Sequence, residues 1–389
     1  MANYHIGQRS RKAAQRRDLV IGHLKFFFDP DTSSQNSNWP TAKSRVLKIY
    51  AGFGGCYALL MARIASPTAN PAALSSSPAL RRDSDSATEM IRSRDNKRLK
   101  AFRAALRGGG PASGEPVAVE GFKLVEEGLR AGLQLEALLV SETGEKHLQR
   151  IFLAARETEE GIPRSRILRT TDKLFAGVAG TETPQGVAAL FRQRAWTFED
   201  VIRGAAFPDG SLPGAPALVL VLAGVQDPGN VGTIARSAEA FEATGLIAAR
   251  GSADPWSPKA VRASAGSALR FPLLRGIGAA VALAQLRVAG VRLYAAVSAS
   301  KNPPPRTALQ DERARDPIDA GNLGANLAEP CAILIGSEGH GLSPEVQRAA
   351  DALISVPISE DVDSLNAAIA ASVLLYEAAR QRRSATGES

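Results

Sequence analysis

The residues best suited to chemistry lie in three loops, each of which follows a run of apolar residues. Asn230 and Arg236 follow "ALVLVLAGV", Glu338 follows "CAILIG", and Ser364 follows "LISVPI". An arginine offers a fork of hydrogen-bond donors that can hold a phosphate and stabilise a developing oxyanion. These loops contain no cysteine and a single histidine, His340. The pattern therefore favours a reaction that depends on placing its reactants over one that needs a strong acid, base or thiol.

The first loop, "QDPGN", is predicted to open a helix with Asn230 as its N-cap. In the helix "VGTIARSAEAF", the apolar residues that recur at helical spacing should face the core; these are Val231, Ile234, Ala238 and Phe241. Thr233, Arg236 and Ala240 are then left on a different face. A solvated surface arginine beside a capping asparagine is the alternative interpretation of this segment.

The second loop lies in "CAILIGSEGHGLSPEV". Gly336, Gly339 and Gly341 would let the backbone approach a ligand closely, and Glu338 sits in the middle of the turn. Ser343 is predicted to cap a helix whose first residue is a proline. The segment lacks Gly-Lys-Ser/Thr and its glycines are spaced G-x-x-G-x-G, so the phosphate-loop and dinucleotide fingerprints both fail. A plain connection between strand and helix stays open.

The third loop lies in "ISVPISEDVDSLNAAIAASVLLYEAARQRR". Pro357 should end a buried strand, and Ser364 is the expected N-cap of the last helix. An apolar stripe runs along that helix, and such a stripe is typical of a core or a subunit interface; it consists of Leu365, Ile369, Val373 and Tyr376.

The strands and helices that position these loops are predicted to form an α/β protein. The runs before the loops are too apolar for half-exposed strands, so they should lie inside a parallel sheet, whose carboxyl ends carry ligand sites. Upstream, "PVAVEG", "FKLVEEGLRAG" and "LEALLVSE" alternate as strand, helix and strand, and "TPQG" leads into another apolar strand. "FPDGSLPGAP" reads as a linker between two domains.

Composition narrows the class of protein. The 389 residues suffice for two domains, and two cysteines with four histidines supply neither a disulfide framework nor a multi-ligand zinc cluster. We therefore expect no metal and a reducing, cytoplasmic location. Of the net charge of +8, most lies in the first 89 residues, so a local basic patch would have to attract an anionic partner such as RNA.

Residues 1–89 differ from the rest, because they are rich in Ser, Pro, Asn and Ala without a sustained period. We interpret them as a mostly disordered leader, or as the product of a start codon placed too early, since Met90 opens an amphipathic helix. The apolar stretch "AGFGGCYALLMARIA" is shorter than the ~20 residues of a spanning helix. We expect no membrane anchor.

The segments "NVGTIAR", "IGSEGHGLS" and "VPISEDVDSLNAAIAAS", in this order, resemble motifs one, two and three of the SpoU (TrmH-like) RNA 2′-O-ribose methyltransferases of the SPOUT superfamily. "SPKAVRASAGSALRFPL" between them is also similar. "RDNKRLK", "EGFKLVEEGL" and "TPQG" resemble the family's L30e-like substrate-binding domain. The resemblance covers nearly the whole chain after Met90.

The resemblance implies an α/β fold with a C-terminal SPOUT domain, built on a parallel sheet with a deep trefoil knot and preceded by an L30e-like α/β substrate-binding domain. The expected boundaries are a leader at 1–89, the RNA substrate-binding domain at 90–205, a linker at 206–215 and the methyltransferase domain at 216–383. It also implies a homodimer with the site at the interface.

The same resemblance assigns roles to residues. Gly336, Val356 and Leu365 match the positions that contact S-adenosylmethionine, with Ile358 close by. Three further residues match site positions: Arg236 the catalytic arginine of motif one, and Asn230 and Glu338 positions of site architecture and RNA contact. We assign Arg236 first to phosphate and oxyanion stabilisation, and to proton abstraction only if its environment is extreme, because a guanidinium is effectively always protonated.

The function expected from this resemblance is methyl transfer from S-adenosylmethionine to a ribose 2′-hydroxyl of structured RNA. The added N-terminal domain favours large-subunit rRNA over tRNA. A non-catalytic RNA-binding dimer with a SPOUT-like domain is the alternative. A doubly wound enzyme with a nucleotide cofactor is disfavoured by the missing fingerprints.

Overall fold

The computed structural model describes residues 89–108, 110–112, 114–156, 162–204, 215–298, 317–321, 325–359 and 361–387, with the backbone of four earlier strands. The chain separates into two units, Met1–Arg82 and Asp83–Ser389. Residues 206–214 of the linker predicted at 206–215 lie outside the described residues, as does most of the leader.

Two antiparallel strand pairs are described in the first unit. β1 (Leu19–Ile21) pairs with β2 (Leu24–Phe26), and β3 (Val46–Phe53) pairs with β4 (Cys56–Arg63). Sequence analysis did not predict these strands. The expected disorder of the other leader residues stays a prediction.

The second unit begins with a five-stranded sheet in the order β5-β8-β7-β9-β6. Its strands are β5 (Glu89–Ile91), β6 (Val117–Glu120), β7 (Leu135–Ser141), β8 (Ile167–Thr170) and β9 (Val187–Phe191). Its helices are α1 (Lys97–Arg107), α2 (Phe122–Arg130), α3 (Leu148–Arg156) and α4 (Asp172–Ala176), with 3-10 turns at Glu145–His147 and Arg164–Arg166. β6, α2, β7 and β9 form where the sequence predicts them.

A seven-stranded parallel sheet follows, in the order β12-β11-β10-β15-β13-β16-β14. Its strands are β10 (Leu218–Ala223), β11 (Gly245–Ala249), β12 (Leu273–Ile277), β13 (Arg292–Ala296), β14 (Ile318–Asp319), β15 (Cys331–Gly336) and β16 (Ala352–Ser355). Leu218 pairs with Cys331 and Ala223 with Gly336. The first two loops therefore leave the sheet side by side.

Helices cover both faces of this sheet. They are α5 (Phe198–Arg203), α6 (Pro228–Ala240), α7 (Pro258–Ala263), α8 (Ser267–Arg270), α9 (Ala279–Val288), α10 (Pro344–Ala349) and α11 (Ala367–Thr386). α6, α7, α8 and α11 pack on the face that carries Leu220 and Leu222, and α5, α9 and α10 pack on the face that carries Val219 and Val221. Burial on both faces explains why the strands are apolar throughout.

The two sheets share one hydrophobic cluster, which joins residues such as Val119 and Phe191 to Leu220 and Ile234. Ion pairs reinforce this packing. Arg270 of α8 donates to Glu127 of α2 at 2.6 Å, and its other nitrogens donate to both carboxylate oxygens of Glu239 on α6, at 2.5 and 2.8 Å. The three half-buried side chains fix α2 against α6 and α8.

Arg382 ties the last helix to the sheet. Its guanidinium donates to the carbonyl oxygens of Leu327 (3.0 Å), Ala217 (2.9 Å) and Glu329 (3.1 Å), so α11 holds the starts of β10 and β15. Beside it, burial raises the pKa of the free Cys331 thiol to about 11, so this cysteine is a core residue and not a nucleophile. No helix of the described residues is long and apolar enough to cross a membrane.

Candidate active site

A cleft of about 450 Å³ opens at the carboxyl ends of β13, β15 and β16. The four residues predicted to contact a cofactor, Gly336, Val356, Ile358 and Leu365, all line it. They come from two loops that are separated in sequence by α10 and β16, and the parallel pairing of β15, β13 and β16 brings those loops to one edge of the sheet.

The second loop closes on itself directly after β15. Ser337 and Gly341 exchange two backbone hydrogen bonds, at 3.0 and 2.9 Å, and Gly341 has a φ of +64°. A Cβ atom on Gly336 would lie 2.2 Å from the carbonyl carbon of Gly341. Gly336 is therefore required by this close backbone approach, and the backbone of the loop forms one wall of the cleft. The predicted cap of α10, Ser343, accepts a hydrogen bond from Val346 N.

Asn230 is not the N-cap of α6, contrary to the sequence prediction. The helix begins at Pro228, and Asp227 caps it by accepting a hydrogen bond from Gly229 N at 3.2 Å. Proline is well suited to the first helical position because it has no N–H to satisfy, which shifts the cap to the residue before it. The side chain of Asn230, in the first turn, is thereby free for tertiary contacts.

Asn230 links the three loops. Its Nδ2 donates to Glu338 Oε1 at 2.7 Å, and its Oδ1 accepts from Asn366 Nδ2 at 3.2 Å. Asn366 is also the N-cap of α11, where its Oδ1 accepts from Ala368 N and Ile369 N. The prediction that Ser364 caps this helix is wrong. Asn366 was not among the predicted caps, although an asparagine directly before "AAIAAS" is itself an N-cap signal.

Glu338 is held as an ionised acceptor. Partial burial works to raise its pKa, but hydrogen bonds from Asn230 and from the backbone N–H groups of Glu338, Gln226 and Asp227 outweigh burial, so the pKa lies below its ordinary value. Its carboxylate thus connects the second loop to the start of α6.

Arg236 does not line the cleft. It is exposed on α6, as are Thr233 and Ala240, whereas Val231, Ile234 and Ala238 are buried, as the helical spacing predicts. Arg236 lies six positions after Asn230, which places it about 9 Å further along the helix. The guanidinium is therefore available to a ligand that reaches the cleft from the α6 side.

The predicted apolar stripe on α11 is exposed. Ile369, Val373 and Tyr376 have exposed fractions of 51%, 39% and 50%, while Leu365 at the edge of the cleft is half-buried. The ring of Tyr376 packs edge-on against Phe241, the C-cap residue of α6. The stripe is therefore not part of the core and adjoins the helix that carries Arg236.

The cleft offers apolar contact and hydrogen bonding, and the carboxyl groups of Glu338 and Asp363 also line it. His340 lines it, but no group of three potential metal ligands occurs among the described residues. The volume falls within the range of about 300–1,000 Å³ that is common for small-molecule sites. Apolar strand ends on one side and a glycine-rich backbone on the other suit a flat, uncharged ring with polar edges.

Family models match two parts of the chain. The SpoU rRNA Methylase family matches residues 217–376, which contain the seven-stranded sheet and the cleft. The MRM3-like substrate binding domain matches residues 114–189, which contain β6, β7, β8 and the start of β9 of the five-stranded sheet.

Similar proteins share this organisation. The chain is 33% identical over 287 residues to an uncharacterized tRNA/rRNA methyltransferase from Mycobacterium ulcerans, covering 73% of this chain and 84% of that protein. It resembles the AdoMet-bound rRNA methyltransferase from Sinorhizobium meliloti, at 27% identity and a TM-score of 0.57, over 75% of this chain and 97% of that one. A solved RNA 2′-O ribose methyltransferase is 28% identical with a TM-score of 0.56, over 75% and 99% of the two chains.

Proposed function

Because the chain belongs to the SpoU rRNA methylase family of RNA methyltransferases, we propose that it transfers a methyl group from S-adenosylmethionine to a ribose 2′-hydroxyl of structured RNA. We place the substrate in large-subunit rRNA ahead of tRNA, since a substrate-binding domain precedes the methyltransferase domain. The observation that carries the proposal is the cleft in which Gly336, Val356, Ile358 and Leu365 meet.

The residues of the cleft fit S-adenosylmethionine. Val356, Ile358 and Leu365 would contact its adenine, and the backbone around Gly336 would supply hydrogen bonds to its polar edge. When bound, this cofactor supplies a methyl group already activated by a positively charged sulfur. The protein therefore has to aim the acceptor hydroxyl at this methyl group and help the hydroxyl to lose its proton. Both depend mainly on how the reactants are positioned.

Arg236 is proposed to act on the RNA. Its fork of donors would hold the phosphate next to the acceptor ribose and stabilise the negative charge that develops on the 2′-oxygen as its proton leaves. Because a guanidinium stays protonated, we assign the proton of the hydroxyl to solvent. Through their hydrogen bond, Asn230 and Glu338 would hold the start of α6 against the second loop.

We also propose that the protein works as a homodimer. Ile369, Val373 and Tyr376 form an exposed apolar stripe, and a second copy of the chain would remove this surface from water. A partner there would also adjoin α6 and so help to enclose Arg236. A cytoplasmic location, proposed from the low cysteine content, can be tested by cell fractionation.

The proposal is tested by incubating the full chain with methyl-labelled S-adenosylmethionine and unmodified rRNA or tRNA, followed by nucleoside analysis. Label in a 2′-O-methylnucleoside of one RNA class supports the proposal and identifies the class. Cofactor binding without label in either class would favour a non-catalytic RNA-binding dimer.

The role of Arg236 is tested by Arg236→Ala, with Arg203→Ala on α5 as a matched control. Loss of a donor to a developing oxyanion typically lowers kcat by about 10²–10³-fold. We expect that loss for Arg236→Ala, with unchanged cofactor affinity and melting temperature, and nearly unchanged turnover for the control. Unchanged turnover in Arg236→Ala would remove the assigned role.

A further inference from the structure

A second, smaller cleft lies where the two sheets' helices meet. It has a volume of about 260 Å³ and is lined by the start of α2, by the loop before β9 and by one side chain of α7. The residues that matter are Glu120, Lys123, Thr181, Gln185 and Arg262. They come from both the substrate-binding and the methyltransferase parts of the chain.

Arg262 carries a donor that lacks a partner. Its Nη1 is buried and finds no hydrogen-bond acceptor within the part of the chain that the structure describes. Buried polar atoms of this kind are rare in folded proteins, and each calls for an explanation. Arg262 also lines the cleft, so an anionic ligand there would pair with its guanidinium group.

Glu120 does not supply it. One carboxylate oxygen accepts from Gly180 N at 2.7 Å and the other from the Thr181 hydroxyl, so Glu120 is engaged with the loop before β9. Lys123 is exposed at the same cleft. Two cations, one from each part of the chain, therefore face a space whose acidic residue is already hydrogen-bonded.

The remaining groups fit a nucleotide unit. Gly121 has a φ of +96°, and a Cβ atom there would lie 3.0 Å from Gln185 Oε1, so the Gln185 amide rests directly on the backbone of this turn. An amide both donates and accepts, as a ribose hydroxyl or a base edge requires. The volume is below the ~300 Å³ at which small-molecule sites begin, so it suits part of a nucleotide and not a whole cofactor.

α7 fixes this cleft relative to the active site. A Cβ atom on Gly232 of α6 would lie 2.2 Å from the carbonyl oxygen of Ala260, so the two helices are in close contact. Lys259, three residues before Arg262, pairs at 2.6 Å with Asp227, the N-cap of α6. One short helix thus connects the cleft to the helix that carries Arg236.

We infer that this cleft binds one phosphate–ribose unit of the substrate RNA, away from the nucleotide that is methylated, with Arg262 and Lys123 on the phosphate and Gln185 on the sugar or base. The inference rests on the proposed function. It means that the two parts of the chain hold the same RNA strand, which sets the distance between the recognised unit and the methylated ribose.

The test compares Arg262→Gln, Lys123→Gln and the double variant with Lys173→Gln, an exposed cation of α4 outside the cleft. Dissociation constants are measured by filter binding to transcribed, unmodified large-subunit rRNA and tRNA at several salt concentrations. Each single variant should weaken binding of the RNA that the wild type prefers by about tenfold. The double variant should also lower the slope of log Kd against log salt by about 0.7–0.9, the value for one phosphate contact, and each single variant by a part of that.

Further readouts separate recognition from stability and from chemistry. Methyl transfer by the cleft variants should show a raised KM for RNA with nearly unchanged kcat and S-adenosylmethionine affinity. Arg262→Gln should keep the wild-type melting temperature, because its Nη1 has no partner to lose. RNA affinities and salt slopes equal to those of Lys173→Gln would overturn the inference, as would a wild type that binds neither RNA. RNA binding without methyl transfer would instead refute the proposed function alone.

Discussion

Substitution of Asn366 separates the two tasks of this side chain. Its Oδ1 caps α11 by accepting from Ala368 N at 2.8 Å and Ile369 N at 3.3 Å, while its Nδ2 donates to Asn230. Asn366→Ala removes both. Loss of the cap costs about 1 kcal/mol and loss of one neutral hydrogen bond about 1 kcal/mol. For a domain of this size each kcal/mol lowers Tm by roughly 2–4 °C, so a fall of about 4–8 °C is expected.

Asn366→Ser is the matched variant. Serine caps helices as well as asparagine, but it has no amide nitrogen to reach Asn230. We expect it to lose only the link, about 1 kcal/mol, with half the fall in Tm. Both variants should weaken S-adenosylmethionine binding equally, by about fivefold, because about 1 kcal/mol of loop ordering must then be supplied on binding.

Scanning calorimetry gives Tm and titration calorimetry gives the cofactor affinity. Equal Tm values for the Ala and Ser variants would refute the capping argument. Wild-type cofactor affinity in either variant would show that the link between Asn366 and Asn230 does not order the site.

Three further predictions follow from the same structure. Because hydrogen bonds hold the pKa of Glu338 below its ordinary 4.5, the ionised carboxylate stabilises the fold above pH 4.5, and this stabilisation is lost as pH falls through the lowered pKa. The difference in Tm between wild type and Glu338→Gln should therefore shrink in acid. A constant difference from pH 7 to pH 3 would contradict this. Val373→Glu should yield monomers in sedimentation experiments, since it places an unpaired carboxylate in the proposed interface, whereas Ser384→Glu on the same helix should not; a dimeric Val373→Glu would place the interface elsewhere. Deletion of residues 1–89 should leave methyl transfer and dimerisation intact, and a loss of the dimer would assign the leader a structural role.

Elements with a strong local signal could be predicted from the sequence. The apolar strands β10, β13, β15 and β16 and the buried face of α6 follow from period and composition alone. The N-cap of α6 was harder to predict, since Asp227 and Asn230 are both favourable N-cap residues and the choice between them depends on Pro228. The proline rule was available in the sequence and would have given the right residue.

The contacts of the site depend on strand order, which periodicity does not encode. Asn230 meets Glu338 and Asn366 only because β10 lies next to β15 and α11 packs on α6. The lining of the cleft by Gly336, Val356, Ile358 and Leu365 agrees with the residues chosen by family resemblance, while their roles stay predictions. The knot also stays a prediction.

The order of the strands has a consequence for synthesis on the ribosome. β10 can pair with β11 early, but its other edge pairs with β15, beginning with Leu218 against Cys331. At about 5–20 residues per second, the 113 positions from Leu218 to Cys331 take roughly 6–23 s to translate. Arg382, which ties α11 to the residue before β10, is made later still. One edge of the apolar strand β10 therefore stays unpaired during translation. We expect chaperones to bind the nascent chain until its last helix emerges.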